Sequence, residues 1–263
     1  MDLTLSVWVL YCMIALCIGS FSAAYTIRWP AKQHYLWKKE AHLLLYIPFT
    51  SSSTMQFNRR RSHCTHCKQT LTYKDLIPIF SFVALKGKCR YCKQKISSRY
   101  IIIESIHLLC CLPLLWLFDD FYSLTLLTLL VSALITATVM DIEHKLIPDE
   151  CNTLALACAL LLHTSTNNLN YSVLGMMAGY GLVYTLHWRY TVFRGKEGIG
   201  LGDAKLLAAL GAWLGLLHLP VLLLCASLSG ILYTVISKRS NLDYIAFGPF
   251  LTISSLLVFY LTL

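Results

Sequence analysis

Long apolar stretches without charge decide what this chain can fold into. The first runs from residue 3 to residue 27. An α-helix needs about 20 apolar residues to cross the hydrocarbon core of a bilayer, where a spanning segment must satisfy its own backbone hydrogen bonds. Further apolar segments occupy residues 100–118, 121–140, 148–163, 171–188, 203–217, 220–237 and 244–263. The pattern predicts an all-α polytopic membrane protein with about eight transmembrane helices, of which the fourth and sixth are short.

The composition agrees with this fold class, and the charge distribution predicts an orientation. The chain is 57% hydrophobic and 13% charged, whereas soluble domains carry about 25% charged residues. With eight alternating spans, all 22 Lys and Arg residues fall on one side of the membrane. Basic loops remain cytoplasmic, so both termini are predicted to lie outside. Topology and anionic lipid then explain the net charge of +9, and the lipid bilayer, not nucleic acid, is the predicted partner.

One polar segment, residues 28–99, separates the first predicted helix (1–27) from a membrane region at 100–263. It contains two Cys-x-x-Cys pairs, Cys64/Cys67 and Cys89/Cys92, with 21 residues between them. Four thiolates in two tight turns are typical of a structural zinc site with no open coordination position. Two disulfides, disfavoured in a reducing cytoplasm, or a redox pair are the alternatives. The sequence predicts a cytoplasmic four-cysteine zinc loop.

Two aspartates at the ends of apolar segments are the predicted catalytic pair. Asp141 closes the segment 121–140, and Asp203 follows the glycine-rich turn 198–202. An ionisable group beside a membrane helix is costly unless it is paired or hydrated. Two neighbouring carboxylates that share one proton can activate water and polarise a peptide carbonyl, as in aspartic proteolysis. Helix-end electrostatics predict that Asp141 holds the proton and Asp203 is ionised.

The same turns contain the residues that we predict bind substrate or support the pair. These are Gly200, Gly202, Lys205, Glu197 and Asp149. The glycines would let a peptide approach the backbone closely. Asp149 has a plainer alternative as the cap of the helix after Pro148.

Several motifs together resemble the bacterial type IV prepilin peptidases over nearly the whole chain. They are Gly19-Ser20-Phe21, the two cysteine motifs, the segment 96–100 with Glu104, the segment from Asp141 to Asp149, the turn 196–205, and Phe247-Gly248-Pro249. The chain departs from the family pattern at Ala23 and Thr65, where the family commonly has Asn and Pro.

The resemblance implies a function in the bacterial inner membrane. It makes Asp141 and Asp203 the residues that cleave the short basic leader of a prepilin or pseudopilin after a glycine, on the cytoplasmic side. It also implies methylation of the new N-terminal residue, usually Phe, from S-adenosylmethionine. The cysteine loop is associated with the methyltransferase in this family, and Glu104, Gly87 and Arg99 are the predicted cofactor-side residues. For Glu104, an ion-pair role is the alternative.

Two other functions remain open at this stage. A presenilin-like protease that cuts within transmembrane helices shares Gly-x-Gly-Asp but needs no four-cysteine loop. A non-enzymatic ion transporter or metal-responsive membrane receptor would use the aspartates for ions and the cysteines for metal sensing. Cleavage of a prepilin peptide in the presence of chelator distinguishes them from the aspartic leader peptidase.

Overall fold

The structure is a computed structural model that describes residues 5–49, 62–165, 168–195, 200–237 and 245–262. Within these residues the regular structure is helical, apart from two isolated β-bridges in the cysteine loop. The helices are α1 (Leu5–Leu44), α2 (Phe80–Ala84), α3 (Arg99–Cys111), α4 (Leu114–Leu117), α5 (Phe121–His144), α6 (Asp149–Ser165), α7 (Leu169–Arg194), α8 (Leu201–Leu214), α9 (Leu219–Ser237) and α10 (Gly248–Thr262). The predicted all-α class is confirmed.

Four segments of the described chain are long and apolar enough to cross a membrane. They are Leu5–Leu44, Arg99–Leu117, Phe121–His144 and Leu216–Ser237, and Gly248–Thr262 is a shorter apolar helix. A membrane protein is therefore supported, whereas the number of eight spans stays a prediction. Helices α6 and α8, with 17 and 14 residues, are short, as expected for the fourth and sixth segments.

Proline changes two helices in ways that the hydropathy pattern does not show. Helix α1 continues through Pro30 to Leu44, well beyond the predicted end at residue 27. Its second half is rich in Ala, Leu, Lys and Glu, which favour helix, and one proline removes a single internal hydrogen bond. The second apolar segment, 100–118, is divided instead, because α3 ends at Cys111 and Pro113 precedes the short α4.

The chain divides into two compact units, residues 1–112 and 113–263. In the first unit, α1 packs against α3. The contact is tight at Gly19, where an added Cβ would lie 2.9 Å from the Glu104 Cα atom. Towards the other end of α3, the Tyr11 hydroxyl donates to the Cys111 carbonyl oxygen at 3.0 Å.

The second unit is built around α8, which packs against α6 and α7. Glycine lets α7 and α8 touch through their backbones, since a Cβ on Gly175 would lie 2.1 Å from the Gly211 carbonyl oxygen. The Ser172 hydroxyl donates to the Ala212 carbonyl at 2.7 Å across the same contact. Leu206, Leu207 and Leu210 are buried. This packing fixes α8, whose first turn contains Asp203.

Candidate active site

Asp141 lies in the last turn of α5, inside the helix and not beyond it. Its side chain is buried, and Oδ2 accepts a hydrogen bond of 2.9 Å from the Gly248 N–H at the start of α10. After α5 ends at His144, Lys145 adopts a left-handed conformation and donates its N–H to the Asp141 carbonyl. The carboxylate is thus held by a backbone donor more than 100 residues away in the sequence.

Gly248 is required at this position by space. A Cβ added there would lie 2.8 Å from Asp141 Oδ2 and 3.3 Å from Ile147 Cδ1. A carbon cannot approach a carboxylate oxygen so closely without displacing it. The absence of a side chain at Gly248 therefore lets its N–H reach Asp141.

Asp203 lies in the first turn of α8, where its N–H donates to the Gly200 carbonyl at 3.2 Å. Its side chain is half-buried. Asp141 and Asp203 are near enough for the charge of one carboxylate to act on the other. The structure thus places the two predicted aspartates together in one unit.

The supporting residues predicted from the sequence have different surroundings. Lys205 Nζ contacts both oxygens of Asp149, at 2.7 and 2.8 Å, and this ion pair joins α8 to α6. Both side chains are exposed, so the pair contributes little to stability but fixes the position of Asp149. Glu197 lies outside the described residues.

The two described glycines of the turn, Gly202 and Gly200, have different surroundings. Gly202 packs against Ile147, because a Cβ on Gly202 would lie 3.4 Å from Ile147 Cβ. Gly200 precedes α8 with φ −69° and ψ 138°, a conformation open to any residue. The structure shows that Gly202 packs closely against Ile147. Binding of a substrate peptide by Gly200 and Gly202 stays a prediction.

Sequence reasoning assigned no role to Gly248 or to Ile147. Ile147 packs against both Gly202 and Gly248, and so lies between the turn of Asp203 and the start of α10, whose amide binds Asp141. The available signal was the Gly248-Pro249 pair at the start of the last apolar segment, where proline is favoured in the first turn of a helix.

The four predicted cysteines form one cluster in the first unit. The sulfur atoms of Cys64, Cys67, Cys89 and Cys92 all lie within 4.8 Å of one another, and the Cys64 and Cys92 sulfurs are 3.9 Å apart. Tetrahedral zinc with Zn–S bonds of about 2.3 Å would separate the sulfurs by about 3.8 Å. The donor set and its spacing fit zinc.

The two cysteine turns have the same backbone conformation. In each turn, the N–H of the first cysteine donates to a glutamine carbonyl, and its own carbonyl accepts from the N–H of a lysine with positive φ. In the first turn these residues are Cys64, Gln69 and Lys68, and in the second they are Cys89, Gln94 and Lys93. The N–H groups of Cys92 and Tyr91 also donate to the Cys89 sulfur and lower the pKa of its thiol to about 7. Amide donors of this kind stabilise the thiolate form that binds metal.

Comparison with known proteins gives the family. Residues 13–118 match the bacterial peptidase A24 N-terminal domain, and residues 128–235 match the type IV leader peptidase family. A prepilin leader peptidase/N-methyltransferase of Pectobacterium carotovorum subsp. carotovorum is 38% identical over 251 residues, which cover 92% of this chain and 88% of the relative. The chain belongs to the type IV leader peptidase family. The resemblance predicted from its motifs is confirmed.

Other relatives of this leader peptidase agree. The prepilin leader peptidase/N-methyltransferase of Neisseria gonorrhoeae is 33% identical over 252 residues, covering 94% of this chain and 88% of the relative. A type 4 prepilin-like proteins leader peptide-processing enzyme of Escherichia coli O78:H11 is 38% identical over 207 residues, covering 76% of each chain. No solved structure matches the chain. The prediction of an enzyme of this class is confirmed.

Of the residues predicted on the methyltransferase side, Arg99 and Glu104 form hydrogen bonds within the first unit. Arg99 donates to the Ala23 carbonyl at 3.0 Å and to the Thr26 hydroxyl, so it joins α3 to α1. Glu104 accepts a 2.8 Å hydrogen bond from the Ile79 N–H. Gly87 has φ +66° in the turn before the second cysteine pair. Arg99 and Glu104 therefore both support the first unit, whereas Gly87 shapes a turn.

The cysteine cluster gives a prediction about metal content. The purified leader peptidase is expected to contain about one zinc per chain, and Cys67→Ser is expected to lose it, because three thiolates with a hydroxyl bind zinc far more weakly than four thiolates. Mass-spectrometric metal analysis measures this. Cys17→Ser, outside the cluster in α1, is the matched control and should retain the metal. Wild-type protein without zinc, or Cys67→Ser protein that retains it, would contradict the prediction.

Proposed function

We propose that this leader peptidase cleaves the short basic leader of prepilins or pseudopilins after a glycine, with Asp141 and Asp203 activating water. The observation that carries the proposal is the packing of Ile147 against Gly202, next to Asp203, and against Gly248, whose amide holds Asp141. Family membership supports the substrate, since the relatives bear prepilin leader peptidase names.

The chemistry follows from two carboxyl groups that share one proton. The ionised carboxylate accepts a proton from water, and the resulting hydroxyl attacks the carbonyl carbon of the scissile peptide. The protonated carboxyl donates its proton to the carbonyl oxygen as the tetrahedral intermediate forms. Collapse of the intermediate breaks the C–N bond as the proton taken from water passes to the leaving amine. A hydroxyl proton of the intermediate returns to the second carboxylate, which restores both carboxyl groups to their starting states. The Gly248 donor fixes Asp141 for these steps.

Electrostatics favour a basic leader at this site. Asp149, at the start of α6, has a side chain that is 66% exposed beside the catalytic turn. The carboxylates of the turns after α5 and before α8 attract a positively charged peptide. Under the positive-inside rule these turns are cytoplasmic and both termini periplasmic, so we propose cleavage at the cytoplasmic face of the bacterial inner membrane.

Methylation of the new N-terminus from S-adenosylmethionine is the second proposed activity. It rests on the names of the relatives, prepilin leader peptidase/N-methyltransferase. Binding of the cofactor by Glu104, Gly87 and Arg99 stays a prediction, and the contacts of Arg99 and Glu104 are those of structural residues. No step of methyl transfer is derived from them. Zinc in the four-cysteine cluster would hold the loop together and leave no position open for catalysis.

Mass spectrometry of a prepilin peptide tests both activities together. Incubation with the purified full chain and S-adenosylmethionine is expected to remove the leader and then to add a single methyl group to the new N-terminus. An intact peptide after incubation with folded enzyme would contradict the proposed peptidase. Cleavage without methylation would contradict only the second activity.

The two alternatives predicted from the sequence are not proposed. Neither a presenilin-like protease nor a transporter or receptor accounts for a match that covers the cysteine loop and the aspartate region together.

A further inference from the structure

A groove of about 490 Å³ opens between α6, α7 and α8, beside the catalytic turn. Its mouth carries the Asp149–Lys205 ion pair, and Lys205 is two residues from Asp203 in the first turns of α8. The wall is mainly apolar, and most of its polar side chains belong to α6. The lining side chains that matter below are Asn152, Leu156, Met176, Met177 and Tyr180.

Asn152 is the unusual member of this wall. It is 4% exposed, and neither its amide nitrogen nor its amide oxygen has a hydrogen-bond partner among the described residues. A buried polar group without a partner destabilises the protein. Its position is one helical turn below Asp149 on α6, so it lies between the charged mouth and the apolar residue Leu156.

The missing partner must offer both an acceptor and a donor. A peptide group does so with its C=O and N–H, as does a water molecule that a substrate chain would displace, and an asparagine amide can pair with both. A lipid acyl chain offers neither. Because the amide atoms are covered in this structure, pairing with a peptide requires the Asn152 side chain to change rotamer so that they face the groove, and the pairing would then remove the cost of leaving them unsatisfied.

We propose that this groove binds the extended substrate chain next to the scissile bond, with the Asn152 amide paired to one substrate peptide group. The inference rests on the proposed peptidase function. The apolar wall of Met176, Met177 and Leu156 holds the apolar residue that follows the cut. At the mouth, a basic residue of the leader would replace Lys205 as the partner of the exposed Asp149 carboxylate. Asn152 is therefore a substrate-binding residue and takes no part in proton transfer.

Kinetics of Asn152→Leu test the hydrogen-bonding part. The variant keeps a similar volume and removes the unsatisfied amide, so its melting temperature is expected to equal or exceed that of the wild type. KM for a prepilin peptide is expected to rise about tenfold to a hundredfold, because two hydrogen bonds to the substrate are lost. A lower melting temperature with unchanged KM would show a structural asparagine and overturn the proposal.

Gly181 allows the groove to be filled without disturbing the fold. It lines the groove on α7, and an added Cβ there meets nothing within 4 Å. Gly181→Phe is expected to lower kcat/KM at least about tenfold by occupying the space of a substrate side chain. The matched control Leu182→Phe adds a ring at the next position of α7, which is exposed and does not line the groove, and it should cleave like the wild type. Equal kcat/KM for the two Phe variants would contradict the proposal.

Photo-crosslinking identifies the occupant. A benzophenone amino acid in place of Met177, in a full chain that also carries Asp203→Asn, is expected to crosslink a labelled prepilin peptide and to lose the crosslink with excess unlabelled peptide. Crosslinks to lipid alone, unaffected by peptide, would show an acyl-chain site and overturn the inference. If the wild type fails to cleave the peptide, the proposed function fails. If it cleaves and both Asn152→Leu and Gly181→Phe match it, only the groove assignment fails.

Discussion

Asp141→Asn and Asp203→Asn are each expected to abolish leader cleavage, with a fall in kcat of about a thousandfold or more. An amide can neither accept the proton of the attacking water nor transfer a proton to the scissile carbonyl oxygen, so each substitution removes the proton transfer that its position supplies. In Asp141→Asn the amide oxygen can still accept from the Gly248 N–H, so the fold is retained. Single-turnover cleavage of a prepilin peptide by purified, monodisperse protein measures the loss.

Asp119→Asn is the control for this experiment. Asp119 is exposed, precedes α5 and lies at the other end of that helix from Asp141. It should cleave at the wild-type rate. Substantial cleavage by either Asp141→Asn or Asp203→Asn would refute the assignment of the pair.

Gly248→Ala is expected to lower kcat about tenfold to a hundredfold, although it alters no ionisable group. The new Cβ would lie 2.8 Å from Asp141 Oδ2, so the carboxylate must move away from the Gly248 amide. Displacement of a catalytic group by a fraction of an ångström to 1 Å has an effect of this size. KM is expected to change little, because the new methyl group does not contact the proposed substrate groove between α6, α7 and α8. Steady-state kinetics with a prepilin peptide separate the two parameters.

Gly230→Ala is the matched control for this substitution. Gly230 lies in α9, and its added Cβ would meet the Phe250 ring only at 3.8 Å, an ordinary contact. This variant should retain wild-type kcat. A Gly248→Ala enzyme with wild-type kcat would show that the position of Asp141 does not depend on the Gly248 amide.

The helices and the cysteine cluster were predictable because their signals are local. A charge-free run of residues such as 121–140 is readable by itself, and each Cys-x-x-Cys pair forms its turn within a few residues. Helix boundaries were less predictable. Pro30 lies inside a helix, whereas Pro113 lies at a break between two helices. Whether a proline interrupts a helix depends on how the flanking residues pack.

The candidate site was predictable in part. Asp141 and Asp203 are conspicuous because acids are scarce at the ends of apolar segments. Gly248 and Asn152 are not conspicuous in the sequence. Gly248 matters through the contact between α5 and α10, and the proposed role of Asn152 depends on the groove among α6, α7 and α8. The order of residues along the chain reveals neither arrangement. The Gly248 amide is also a second influence on Asp141, so helix ends alone do not decide which carboxylate holds the proton. NMR of labelled carboxylates reports that directly.

The central claim is that Asp141 and Asp203 act as one catalytic unit. Single-turnover rates of the wild type, Asp141→Asn, Asp203→Asn and the double variant, all shown to be folded, test it most directly. Residues that act as a unit have strongly non-additive effects, so each single variant is expected to be as slow as the double variant. Losses that multiply in the double variant, or one single variant that still cleaves at a substantial rate, would contradict it.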